Sequence, residues 1–130
     1  MVGILIVSHN KKVSEGIKEM IEQMVSKNVK VETVGGEGGQ LGVSVEEIVK
    51  AVNAIFDEEG VIIFVDFGSS VIGARTALNF LDESKKAKIY IADAPILEGA
   101  FIAAVEISLG KKIEEVLKAV EETKHMKKIS

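Results

Sequence analysis

The sequence contains no cysteine, which excludes disulfide staples, thiolate metal sites and cysteine nucleophiles and suits a reducing compartment. The cytoplasm is the expected location. It has no excess of positive charge either. Sixteen Lys and Arg stand against 20 Asp and Glu, a net charge of -4, so neither nucleic acid nor an anionic lipid surface is an expected partner. Long apolar runs are missing as well. No stretch reaches the ~20 residues that cross a bilayer, so no membrane insertion is expected. The first apolar run, residues 2–7, has no basic flank and passes at once into Ser8, His9 and Asn10, unlike a signal peptide. Proline occurs once, as Pro95, where it suits the start of a helix.

What remains is a chain of 130 residues, 47% hydrophobic and 28% charged, the composition and length of one packed globular domain. Residues 2–7 are short, β-branched and apolar almost throughout, as a strand covered on both faces should be. Apolar residues then fall at Val13, Ile17, Met20, Ile21, Met24 and Val25, the spacing of one helix face. The pattern repeats with a strand over residues 29–34 and a helix from Ser44, where Glu47 three residues on completes a capping-box signature. A third strand over residues 61–65 precedes a helix carrying Ala74, Ala77, Leu78 and Leu81. A short fourth strand is expected over residues 88–92, and residues 98–123 read as helix broken near Gly110. This alternation predicts an α/β fold, a single domain with a mainly parallel sheet of four or five strands and helices on both faces.

In such sheets, ligands sit beyond the carboxyl ends of the strands, which directs attention to three loops. Gly35, Gly36, Gly38, Gly39 and Gly42 place five glycines in eight residues, so backbone amides can approach an anion at the following helix start. A flexible surface loop is the alternative. Neither the dinucleotide fingerprint, which needs glycine at Leu41, nor a P-loop is completed. After the third strand, Asp66 is followed by Gly68, Ser69 and Ser70, which supply hydroxyls and amides where a helix opens; a plain helix cap is the alternative there.

His9 stands between a buried strand and a helix start. A neutral imidazole can attack phosphorus through one nitrogen while a carboxylate holds the other and fixes the tautomer. If the first and third strands are neighbours, their ends lie about 5 Å apart, and Asp66 can reach the ring.

Four segments carry a resemblance: Ile6-Val7-Ser8-His9, Leu41-Gly42-Val43-Ser44, Asp66-Phe67-Gly68-Ser69-Ser70, and Ala94-Pro95-Ile96-Leu97-Glu98-Gly99-Ala100. In this order and spacing the chain resembles the phosphotransferase subunits of PTS-dependent dihydroxyacetone kinases, within the mannose-type enzyme IIA family, over nearly its whole length. The resemblance implies one mannose-type enzyme IIA domain over residues 1–130 and a phosphotransferase with a phosphohistidine intermediate. It implies that His9 accepts a phosphoryl group from HPr and passes it to ADP on the nucleotide-binding kinase subunit. Asp66 is then the orienting partner, and Gly39, Gly42, Ser44, Gly68, Ser69 and Ser70 form the phosphate surround. A homodimer without metal or permanently bound cofactor is implied, the phosphoryl group itself riding on His9. Since fusion versions carry their own HPr-like part and this length leaves no room for one, the expected donor is a separate protein.

The chain departs from the family pattern at Val43 and Asn10, where threonine and serine are usual, and at Phe67 and Ser70, where leucine and alanine are commoner. Glu98-Gly99-Ala100 reads first as a helix start with small residues for close packing, and His125 as a solvated tail residue. Two other functions fit the residues: a IIA component serving a sugar transporter, and a non-catalytic anion- or nucleotide-binding regulatory module. The Gly-Ser-Ser loop and the Glu-Gly-Ala motif favour the kinase branch.

Overall fold

The computed structural model describes residues 1–36 and 43–130. β1 (Gly3–Ser8) leads into α1 (Lys11–Met24), β2 (Val31–Gly35) into α2 (Val45–Ile55), and β3 (Val61–Val65) into α3 (Ser69–Leu78). A short α4 (Glu83–Lys86) precedes β4 (Ile89–Ile91), and α5 (Ile96–Ser108) and α6 (Ile113–Glu122) complete the chain before a single 3₁₀ turn at Thr123–His125. The sheet has four strands in the order β2-β1-β3-β4, and every pairing is parallel.

β1 and β3 are buried along their whole length, which is why their sequences are apolar without alternation. Successive side chains still point to opposite faces. Ile4, Ile6, Ile62 and Phe64 join the core beneath α1, α5 and α6, whereas Leu5, Val7, Ile63 and Val65 join the core beneath α2 and α3. Each such side chain contributes about 1.5–3 kcal/mol by leaving water, so the two central strands anchor both layers. On one face α5 lies close because its inward stripe is small. Gly99 sits so near Phe64 that an added Cβ would lie 3.2 Å from the ring, and Ala100, Ala103 and Ala104 are fully buried beside it.

The last third divides into two helices around Gly110, whose φ is +83°, as the sequence pattern predicts. Two other features differ from the expectation. The second strand starts at Val31, not at residue 29: Val29 is buried, but it serves the core from a turn rather than from the ladder. α4 was not expected because it buries no residue and so leaves no apolar period. Among the described residues no helix is long and apolar enough to cross a membrane.

The order of strands positions the site. β1 is followed by a helix on one face and β3, its neighbour, by a helix on the other, so their carboxyl ends open onto a crevice. Val7 pairs with Val65, and the next residues, Ser8 and Asp66, leave the ladder side by side.

Candidate functional site

His9 follows β1 directly, and Asn10 fixes the chain beyond it as the N-cap of α1, its Oδ1 accepting from Lys12 N–H at 2.8 Å. Asn10 thus performs a capping role open to serine as well. The opposite wall is Gly35, which pairs with Ser8 at the end of β2. A Cβ there would lie 2.4 Å from Lys11 Cα, so glycine is required by the close passage of β2 under the start of α1.

Asp66 is the hub. Its Oδ1 lies 2.9 Å from His9 Nδ1 and accepts from Ser70 Oγ at 2.6 Å and Phe67 N–H at 2.7 Å. Its Oδ2 accepts from Ser8 Oγ at 2.8 Å and from the His9 backbone N–H at 3.0 Å. Burial alone would push this carboxyl up. The hydrogen bonds from Ser70, the His9 and Phe67 amides and Ser8 outweigh it and hold Asp66 well below the usual carboxylate range. An ionised carboxylate can only accept, so the facing Nδ1 must carry a proton. In the neutral ring the free lone pair is then on Nε2.

Nε2 points to the start of α3, where Ser69 Oγ stands 2.6 Å away and, facing a lone pair, donates. Gly68, with φ +55°, brings the chain past the ring edge; even its added Cβ would be 3.8 Å from His9 Nε2. The His9 side chain is 25% exposed and that of Asp66 13%, so the ring is reachable from solvent while its partner is sheltered. α1 and α3 both begin close to His9 with no acidic residue in the first turn, and the positive end of α3 is the one that reaches Nε2, through Ser69.

The structure therefore brings His9, Asp66, Gly68, Ser69 and Ser70 together. Ser44 it places as the N-cap of α2, its Oγ accepting from Glu47 N–H at 3.2 Å; Glu46 and Glu47 already face that helix end. Val43 packs against Gly73, further along α3 from Ser69. Gly39 and Gly42 lie outside the described residues. Sequence reasoning missed two contributors to the site. Ser8 reads there only as part of the loop after the first strand; a hydroxyl closing an otherwise apolar run marks the position but not its partner, which is Asp66. Phe67, treated as a mild replacement of leucine, stacks on His9 with ring centroids 4.8 Å apart and planes 17° from parallel. Among the described residues no group of His, Cys, Asp or Glu could hold a metal ion.

The chain belongs to the mannose-type enzyme IIA family: residues 3–117 match EIIA-man, the PTS system fructose IIA component. It shares its fold with phosphotransferase system component EIIA from Streptococcus agalactiae, at 19% identity and a TM-score of 0.72 over 96% of this chain and 93% of that one. Within the family its sequence falls among the DhaM subunits. It is 40% identical to the phosphoryl donor subunit DhaM of PEP-dependent dihydroxyacetone kinase 2 from Listeria innocua, over 90% of this chain and 94% of the relative. It is 30% identical to the phosphotransferase subunit DhaM of PTS-dependent dihydroxyacetone kinase from Lactococcus lactis, over 92% and 93%. Longer DhaM subunits, such as that of Escherichia coli, are matched over only 26% of their length.

Proposed function

We propose that this chain is a phosphoryl donor subunit of a dihydroxyacetone kinase, working as a phosphohistidine carrier on His9. HPr supplies the phosphoryl group, and ADP on the nucleotide-binding kinase subunit receives it. The observation that carries the reading is the fixed ring: Nδ1 held by an ionised Asp66 at 2.9 Å and Nε2 turned toward the start of α3.

In the first step the Nε2 lone pair forms a bond to phosphorus as the bond from phosphorus to the donor breaks, its electron pair leaving with the donor. The ring keeps its Nδ1 proton and becomes cationic, and the Asp66 carboxylate offsets that charge without taking the proton. In the second step an ADP oxygen attacks phosphorus, the N–P bond breaks, and the pair returns to Nε2. Such transfers depend mainly on positioning and on stabilising the equatorial oxygens. Ser69 Oγ, Gly68 and the start of α3 supply that in this chain, and Ser70 acts through Asp66. The names of the DhaM relatives favour the kinase branch over a sugar transporter. A homodimer in the cytoplasm, with no permanent cofactor, completes the proposal.

Intact mass after incubation with phosphoenolpyruvate, the general phosphotransferase enzyme and HPr tests it, with each component omitted in turn. One acid-labile phosphoryl addition, absent in His9→Gln, is expected. No addition at high donor concentration would favour a non-covalent binding module instead.

A further inference from the structure

The carrier chemistry uses both ring nitrogens of His9 but leaves unexplained the aromatic ring that covers one face of the imidazole. Phe67 is 69% exposed, an unusual position for a side chain whose burial would stabilise the fold. Its backbone is not free to drift. The Phe67 N–H is held by Asp66 Oδ1 at 2.7 Å, and its carbonyl accepts from Ser70 N–H at 3.3 Å. Gly68 then turns the chain with a positive φ. Residues 66–69 therefore surround the imidazole on three sides, with Asp66 at Nδ1, Phe67 on a face and Ser69 at Nε2.

The hydrogen bonds at Nδ1 and Nε2 hold the ring by its edge and leave its faces unbraced. The stacked Phe67 ring braces one of those faces. Once Nε2 bonds to phosphorus, the Ser69 contact to that nitrogen is given up, leaving Asp66 and Phe67 to hold the ring. The ring is then cationic, and the electron-rich face of a phenyl group attracts a cation more than a neutral ring.

Resting on the carrier reading, we propose that Phe67 is a positioning residue for His9, whose stacked ring stabilises the phosphorylated, positively charged imidazole over the free one. Phe67→Leu keeps apolar bulk and loses the aromatic face, while Phe67→Tyr keeps the face; both substitute an exposed position and leave the core intact.

The test is the equilibrium constant for phosphoryl exchange between phospho-HPr and this chain, read by intact mass from both directions. A contact that only helped the donor to dock would change rates and leave this constant unmoved. In Phe67→Leu it should fall by about two- to five-fold, the size of an exposed cation–π contact, and in Phe67→Tyr it should stay at the wild-type value. The carbon-bound imidazole protons of His9 should also lose their ring-current shift in Phe67→Leu alone. A wild-type constant in Phe67→Leu, or an equal fall in Phe67→Tyr, overturns the proposal while leaving the carrier reading intact. A wild-type chain that takes no phosphoryl group overturns both.

Discussion

Ser69 Oγ lies 2.6 Å from His9 Nε2, on the nitrogen that the proposed carrier role requires to be bare. In the resting site the hydroxyl caps the lone pair; in the proposed transfer it rotates away and offers its proton to an incoming phosphoryl oxygen. Ser69→Ala should therefore leave the fold unchanged and slow phosphoryl acceptance by about 10- to 100-fold, the loss of one hydrogen bond to a charged group. Rapid-quench single turnover from phospho-HPr measures it. A rate equal to wild type would reduce Ser69 to a cap on the resting ring.

Asp66→Asn addresses the tautomer. An amide nitrogen opposite Nδ1 can donate, which moves the ring proton to Nε2 and removes the nucleophilic lone pair. Acceptance should fall by about two to four orders of magnitude, and ¹⁵N spectra of the imidazole should show the proton relocated. Unchanged transfer with an unchanged tautomer would deny Asp66 its orienting role.

The same carboxylate sets a pH dependence of stability. Hydrogen bonds hold it below its ordinary value in the folded chain, so the unfolded chain binds that proton more readily. Its stabilisation is then fully present above the ordinary carboxylate pKa of about 4 and is lost progressively as pH falls below it. Urea midpoints at pH 7, 5 and 3 should drop more steeply for wild type than for Asp66→Asn. Parallel curves would mean that the network is not maintained in solution.

Gly35→Ala tests the geometry from the far side. The new Cβ would meet Lys11 Cα at 2.4 Å and Lys11 N at 2.8 Å, both backbone atoms at the start of α1. The helix start has to move, and His9 is two residues upstream. Destabilisation of about 1–3 kcal/mol is expected, with slower phosphoryl acceptance in the fraction that remains folded. Thermal unfolding and the single-turnover rate check the two parts separately, and an unchanged melting temperature would contradict the close approach.

How much of this could be read from the residues varied with the kind of signal. Strands β1 and β3 were legible because burial on both faces leaves an unbroken apolar run, and α1 and α2 because one buried face leaves a 3.6-residue period. α4 left neither. Asp66 could be paired with His9 on the condition that their strands adjoin, since parallel neighbours align their ends, and the strand order meets that condition. Ser8 and Phe67 could not be assigned that way. What matters in them is which side of a backbone they project from, and a composition of apolar and hydroxyl residues carries no such direction. Gly35 looked like part of an anion-binding loop, whereas the structure makes it the last residue of β2, small because a helix crosses it.

The sequence by itself determined the layered α/β architecture, the fully buried character of its two apolar strands and the loops where polar side chains gather, because periodicity and chain order are local properties. Only the tertiary structure decided that one carboxylate would collect hydrogen bonds from Ser8, His9, Phe67 and Ser70, and that an aromatic ring would lie across the histidine. The contacts of Asp66 with His9 and Ser8 span 57 and 58 positions, and they exist because β1 and β3 pair in register and release their chains at the same height.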